Sequence, residues 1–251
     1  MKKDKMSIKA YSSADERVNR SAMYKSLKEC PIPESQVLEN LGLFLESKHL
    51  SRILCMDFIY RKIIDVQGVV MEFGTRWGQN VALFSALRGI YEPFNRHRKI
   101  IGFDTFSGFP SISKKDGKSD LMAKGQLVVA PKYERYLSRI LELHENANPL
   151  PHIKKYEICA GDATKEVSKY LKKSPETIVA LAYFDFDLYT PTKKCLKMIR
   201  SRLTKGSVVA FDELNDPDSP GETLALLETM GLNNVRLQRF PFASRVSYFV
   251  V

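Results

Sequence analysis

The residues of this 251-residue chain best suited to chemistry are acidic ones standing directly after short apolar runs. TIVALAYF at 177–184 leads into Asp185-Phe186-Asp187, and SVVAF at 207–211 leads into Asp212-Glu213, 27 residues after Asp185. Carboxylates at i and i+2 share one side of an extended backbone, so Asp185 and Asp187 would face one cleft. Adjacent strand ends would then gather up to four carboxylates, which raise one another's pKa unless a cation compensates. Oxygen-only ligation, without His or Cys, suits Mg²⁺, with Mn²⁺ as second choice. The competing arrangement makes Asp187 and Glu213 loop caps and leaves Arg or Lys to neutralise the others.

Further apolar runs end in the same manner. Met71-Glu72-Phe73-Gly74-Thr75-Arg76-Trp77-Gly78 carries two glycines that allow a tight turn and close approach to a ligand, but their spacing departs from the dinucleotide G-x-G-x-x-G pattern. Asp104, 32 residues after Glu72 and followed by Thr105, stands where an acidic side chain accepts hydrogen bonds from ribose hydroxyls, or caps a turn. Asp162 closes a third run, where it can meet an adenine amino group or N-cap a helix beginning at Ala163. Together these positions point to a nucleoside ligand.

Such residues need strand ends to sit on, and the pattern supplies them. GVVMEFG, NVALFSALRGIY and KIIGFDTF follow a strand–helix–strand cadence, continued by KYEICAGD, a helix near 163–173, the run ending at Asp185, a helix near 191–203, SVVAFDE and a helix near 221–231. VRLQRF and RVSYFVV are too close together for a crossover helix and predict an antiparallel hairpin. The expectation is an α/β domain over 67–251: a Rossmann-like, seven-stranded, mostly parallel sheet closed by that hairpin. Residues 105–150 form a long insertion, Gly-, Ser- and Lys-bearing at first and helical from Tyr133 to His144, that reads as a lid. Ahead of the domain, residues 1–20 read as a flexible arm and 21–66 as a helical extension, with Val37, Leu38, Leu41, Phe44 and Leu45, then Ile53, Leu54, Met56, Ile59, Ile63 and Ile64 at helical spacing.

Composition narrows the class. With 44% hydrophobic and 27% charged residues the chain can bury a core, and no apolar run approaches the roughly 20 residues of a membrane span. No secretory signal pattern follows the charged N-terminus, so a cytoplasmic location is expected. Cys30, Cys55, Cys159 and Cys195 have neither metal nor disulfide spacing and read as reduced thiols. The net charge of +10 favours an anionic partner or a solvated basic surface. The cationic residues are scattered rather than gathered in an appended module, which weighs against nucleic acid.

At this point FDTFSGFP at 103–110, GDATKEV at 161–167, DFDLYTPT at 185–192 and FDE at 211–213 resemble the macrocin O-methyltransferase (TylF-like) family, over roughly residues 67–251. That resemblance implies a sugar hydroxyl as acceptor, S-adenosylmethionine as methyl donor and Mg²⁺. It would place Glu72, Gly74, Thr75 and Gly78 at the methionine end of the cofactor, Asp104 and Thr105 at its ribose, and Asp162 and Ala163 near its adenine, with Asp185 beside it. Asp185, Asp212 and Glu213 would bind the metal, and Asp185 or Asp187 would be the base. The chain departs from the family in having Asp212-Glu213 where Asp-Asp is usual, and in LNDPDSPGETLALLE, which lacks the family's aromatic, His-bearing acceptor loop. The other classes in play are a nucleic-acid methyltransferase, an NAD-binding oxidoreductase and a non-catalytic nucleotide-binding module. A small-molecule acceptor, a sugar or nucleotide-linked sugar, and a homodimer built on the helical extension complete the expectation.

Overall fold

The computed structural model describes residues 12–242 and 245–251. Five parallel strands, β1 (Val69–Phe73), β2 (Ile100–Asp104), β3 (Tyr156–Ala160), β4 (Val179–Phe184) and β5 (Leu203–Phe211), are followed by β6 (Gln238–Arg239) and β7 (Ser247–Val250). The sheet order is β3-β2-β1-β4-β5-β7-β6, with β7 antiparallel to both β5 and β6. The expected seven strands, parallel run and closing hairpin are all present. Strand order reverses between β1 and β4, and in open α/β sheets the crevice beyond the carboxyl ends at such a point holds the ligand.

Helices cover both faces. On one side lie α3 (Ser47–Arg61), α4 (Gln79–Tyr91) and α5 (Tyr133–Asn146), whose Met56, Ile59, Phe84, Leu137 and Leu141 pack with Val70, Tyr183 and Val208 of the sheet. On the other lie α6 (Ala163–Lys173), α7 (Tyr189–Ile199) and α8 (Gly221–Thr229), whose Val167, Tyr170, Leu196 and Leu226 pack with Met71, Phe103 and Phe211. Within that second layer an aromatic row crosses five strands, at the carboxyl ends of β2, β1, β4 and β5 and on the antiparallel β7. The ring centroids of Phe103 and Phe73 are 5.3 Å apart, Phe73 and Phe184 4.5 Å, Phe184 and Phe211 5.1 Å, and Phe211 and Phe249 6.5 Å. Each such pair adds about 1 kcal/mol beyond its burial, so the floor beneath the strand ends is stiff.

The helical extension is present but differs in detail. Ala14–Lys28 (α1) is helical, so the part of the arm from Ala14 onward is not irregular, while residues 1–11 lie outside the described residues. A capping box explains the start: the Ser13 hydroxyl accepts from the Glu16 N–H at 3.1 Å and the Ser13 N–H donates to the Glu16 carboxylate at 2.6 Å. Nothing in α1 is buried. The run at 37–45 makes only one α-turn, α2 (Glu34–Val37), and a 3₁₀ segment kinked at Asn40, with no buried residue. Its helical spacing has no partner surface to cover. By contrast Cys55, Met56, Ile59, Tyr60 and Ile63 are fully buried, which docks α3 firmly on the domain. Among the described residues all four cysteines are free, and no helix is long and apolar enough to cross a membrane.

Candidate active site

Above the aromatic row opens a cavity of about 400 Å³, a size that suits a small-molecule or cofactor site. Four of the row's phenylalanines stand one residue before a lining residue: Phe73 before Gly74, Phe103 before Asp104, Phe184 before Asp185 and Phe211 before Asp212. The packed rings therefore set the height at which the functional positions emerge. All of Glu72, Gly74, Thr75, Gly78, Asp104, Thr105, Asp162, Ala163, Asp185, Asp187, Asp212 and Glu213 line this one cavity.

The turns that follow the strands are strained. Arg76, Phe106 and Asp187, after β1, β2 and β4, have φ of 46°, 53° and 58°, left-handed values that cost a non-glycine residue about 1–3 kcal/mol each. At Gly74, φ is 97° and a Cβ would collide with the Asp185 backbone carbonyl, so only glycine lets β1 and β4 turn out side by side. The Asp104 carboxylate accepts from the backbone N–H groups of Arg76 at 2.7 Å and Phe106 at 2.6 Å. Its burial raises its pKa against the pull of those two donors. Asp162 caps α6, accepting from the Thr164 N–H at 2.9 Å and hydroxyl at 2.8 Å.

Glu72 is buried beneath the cavity. One oxygen accepts from the Asn80 amide at 2.7 Å, and the Thr75 side chain is a second hydrogen-bond partner. Burial pushes Glu72 up to about 8, against Asn80 and Arg52, which favour its charged form. A buried carboxylate at the end of a nucleoside-sized cavity fits a cationic donor such as an α-ammonium group.

On the acidic side the expected metal set is Asp185, Asp212 and Glu213. Ligand atoms of Asp185, Asp187 and Glu213 lie within 4.8 Å of one another. Asp187 joins them through its left-handed turn, not through the extended alternation that its i, i+2 spacing suggested. Asp212 lies beside them, hydrogen-bonded to Glu213, and its Oδ1 pairs with Arg52 of α3 and accepts from the Tyr183 hydroxyl at 2.6 Å. Burial raises the Asp212 pKa, but Arg52 and Tyr183 outweigh it and hold the group below the usual carboxylate range.

Burial, then Asp212, drives Asp185 well up. Burial and Asp212 bring Asp187 to about 7, and burial, Asp187 and Asp212 raise Glu213. Glu213 has one oxygen on Arg245 at 2.8 Å, and its carboxyl group also hydrogen-bonds Asp187 and Asp212. Three buried oxygen donors with raised proton affinity fit a hard divalent cation.

Several participants carried no signal in the sequence. Arg52 comes from the extension, Asn80 from α4 and Arg245 from the β6–β7 connection, and all three line the cavity. Glu222 of α8 is fully buried and accepts from the Phe186 N–H at 3.0 Å and the Glu213 N–H at 3.4 Å, with burial first and Asp187 second pushing it up to about 8. The insertion contributes Gly108, Phe109, Pro110, Leu121 and Leu127 to the wall. It is tied to the body by Asp116, which accepts from the Tyr189 N–H at 2.5 Å at the start of α7, and by Lys115, paired with Glu228 of α8.

No protein-family profile matches the chain, and no curated protein does either. Among solved structures it superposes on the crystal structure of CalS11, a calicheamicin methyltransferase, with a TM-score of 0.94 and 41% identity over 96% of this chain and 94% of that one. An apo structure of CalS11, described as a TDP-rhamnose 3'-O-methyltransferase of calicheamicin biosynthesis, gives 0.86 and 39% over 96% of each. The O-methyltransferase NovP shares the fold, with a TM-score of 0.59 and 17% identity over 93% of this chain and 98% of that one. The fold and cavity thus define a class I S-adenosylmethionine-dependent O-methyltransferase. More narrowly, the chain belongs to the sugar O-methyltransferase family that includes CalS11. The oxidoreductase and non-catalytic readings fall with that membership.

Proposed function

We propose that the enzyme methylates a hydroxyl of a sugar, carried on a nucleotide or on a natural product, with a divalent cation held by Asp185, Asp187 and Glu213. The observation that carries this reading is the convergence of those three carboxylates, within 4.8 Å, on the cavity that Glu72 also lines. Similarity to a TDP-rhamnose 3'-O-methyltransferase supports the acceptor class. Mg²⁺ is the first choice and Mn²⁺ the second for an all-oxygen donor set.

The chain's own groups divide the work. Glu72 receives the amino end of S-adenosylmethionine, Gly74, Thr75 and Gly78 wrap its methionine part, Asp104 with Thr105 receives the ribose, and Asp162 with Ala163 bounds the adenine. The cofactor supplies an electrophilic methyl group, and the cation, when bound, acidifies a hydroxyl next to it. Asp187, which among the described residues has no arginine ion-paired with it as Asp185 does, would take the hydroxyl proton as the oxygen–methyl bond forms and the sulfur–methyl bond breaks. Asp185 is less free for that role because its Oδ2 is 3.1 Å from Arg52. Exposed Val18, Tyr24, Leu38 and Leu43 on the extension offer apolar surface for a homodimer, which light scattering would detect.

The test is calorimetry with S-adenosylhomocysteine and NAD, followed by assay of nucleoside-diphosphate sugars with EDTA or Mg²⁺. Binding of the adenosyl ligand alone, with product lost in EDTA and regained with Mg²⁺, supports the reading. Product formation indifferent to EDTA removes the cation, and no turnover of any sugar acceptor removes the substrate class.

A further inference from the structure

The turn that carries Asp187 runs from Asp185 to Tyr189 and is left-handed at Asp187, with φ of 58°. A non-glycine residue stays in that conformation only where its surroundings over-determine it, and two acids from outside the turn do so. Glu222, at the start of α8, is fully buried; its Oε1 accepts from the Phe186 N–H at 3.0 Å and its Oε2 from the Glu213 N–H at 3.4 Å. Asp116, in the 105–150 insertion, is likewise buried, and its Oδ1 accepts from the Tyr189 N–H at 2.5 Å. Tyr189 opens α7, a helix whose own N-cap, Leu188, offers no side-chain bond. Asp116 thus caps a helix that begins 73 residues later.

Gly221 shows how closely these pieces meet. A Cβ there would lie 2.6 Å from the Tyr189 nitrogen, 2.8 Å from the Asp187 carbonyl oxygen and 3.0 Å from Asp116 Oδ1. The glycine is needed for room, since any side chain would part the acid from the turn. Asp116 is seated by its own segment. Its Oδ2 accepts from the Ser113 N–H at 2.5 Å, and the Ser119 hydroxyl donates to the Asp218 carbonyl at 3.1 Å, which docks the insertion on the loop ahead of α8.

We propose that Asp116 and Glu222 are positioning residues that clamp the 185–189 turn at its two ends, so that the insertion, by docking, sets the conformation from which Asp187 works. This rests on the role given to Asp187 under Proposed function. The segment that walls the cavity through Phe109, Pro110, Leu121 and Leu127 then also fixes the turn of the base. Unclamping should show in rate and in local opening, and not in cofactor binding, because Asp104, Asp162 and Glu72 are held by other contacts. Loss of one hydrogen bond to a charged acceptor lowers the population of the competent turn, and kcat with it, by about 10- to 100-fold.

The experiment compares wild type with Asp116→Ala, Asp116→Asn, Glu222→Ala and Lys115→Ala. It measures hydrogen exchange across residues 185–192 by mass spectrometry, S-adenosylhomocysteine affinity by calorimetry, and kcat with a nucleoside-diphosphate sugar. Expected in Asp116→Ala and Glu222→Ala are faster exchange and a kcat lower by about 10- to 100-fold, with S-adenosylhomocysteine affinity within about twofold of wild type. Asp116→Asn keeps an oxygen for the Tyr189 N–H and recovers most of both losses. Lys115→Ala breaks only the exposed ion pair with Glu228 and matches wild type. Gly221→Ala, which wedges Asp116 from the turn without removing a side chain, carries the same expectation as Asp116→Ala and serves where a truncated variant does not fold. Wild-type exchange in the alanine variants overturns the clamp, as does a parallel loss of S-adenosylhomocysteine affinity. Wild-type kcat in Asp187→Asn overturns the role of Asp187 instead, and no turnover of any sugar overturns the substrate class; in both cases the exchange result still decides the clamp.

Discussion

At the β1–β3 end of the cavity the acidic side chains are held by main-chain donors of the adjoining turns: Asp104 by the N–H groups of Arg76 and Phe106, and Asp162 by that of Thr164. At the β4–β5 end the holders are side chains from remote segments. Arg52 reaches Asp185 and Asp212 across 133 and 160 residues, and Arg245 reaches Glu213 across 32. A main-chain donor arrives whenever the strand and its turn form. A remote guanidinium arrives only when the extension and the hairpin have docked. Asp104 and Asp162 are therefore expected to tolerate distant changes, whereas the acids of the second end, like Glu72 on the Asn80 side chain, should register them.

The largest effect expected is on turnover. Asp187→Asn should lower kcat/KM by about 10²–10⁴, the usual weight of a positioned base, while S-adenosylhomocysteine affinity in calorimetry stays within about twofold. Loss of both together would mean that the two ends are not separable. Next in size, Asp104→Ala should weaken S-adenosylhomocysteine by about 10- to 100-fold, through lost bonds to a charged acceptor, and leave Mn²⁺ affinity unchanged.

The pH dependence of stability separates the ends further. Glu72, Asp187 and Glu222 have pKa values raised to about 8, 7 and 8, so the folded protein keeps protons that the unfolded chain has released. Their contribution is complete below about pH 4 and is lost as pH rises towards 8. Asp212, with its lowered pKa, acts oppositely and only at acid pH. Thermal unfolding without ligands should fall by about 5 °C between pH 5 and 8, and saturating Mg²⁺ should flatten the fall in wild type more than in Glu213→Gln. Smallest of all, Asp162→Ala should cost about 1 kcal/mol as a lost helix cap, some 2–4 °C in Tm. An accompanying tenfold loss of S-adenosylhomocysteine affinity would show that the side chain also meets the ligand.

The same division explains what was legible in the sequence. Strand ends announce themselves, because an apolar run stops at a carboxylate or a glycine, and every residue picked on that ground lines the cavity. The repeated Phe-Gly or Phe-Asp step at 73–74, 103–104, 184–185 and 211–212 was an available cue that the rings form one floor. Ser13 and Glu16 likewise spelled a capping box before α1. Arg52 had no such cue: on α3 it reads as one more cation on an exposed helix, and only the docking of Met56 and Ile59 reveals where it points. Asp187 was chosen for an alternation that its left-handed φ does not follow. Local spacing cannot foresee a turn whose strain the surrounding packing sustains.

The position of β5 has a further consequence, for the order in which the molecule is completed during synthesis. In the sheet β5 lies between β4 and β7, and β7 is the last strand in chain order. Until Ser247–Val250 has left the ribosome, the strand that ends in Asp212 and Glu213 has one edge without a partner, and Val208, Val209, Ala210 and Phe211 are on it. An unpaired apolar edge invites mispairing and chaperone capture. The cofactor end, whose strands pair with one another earlier, can take shape on a nascent chain while the acidic end is still waiting for its neighbour.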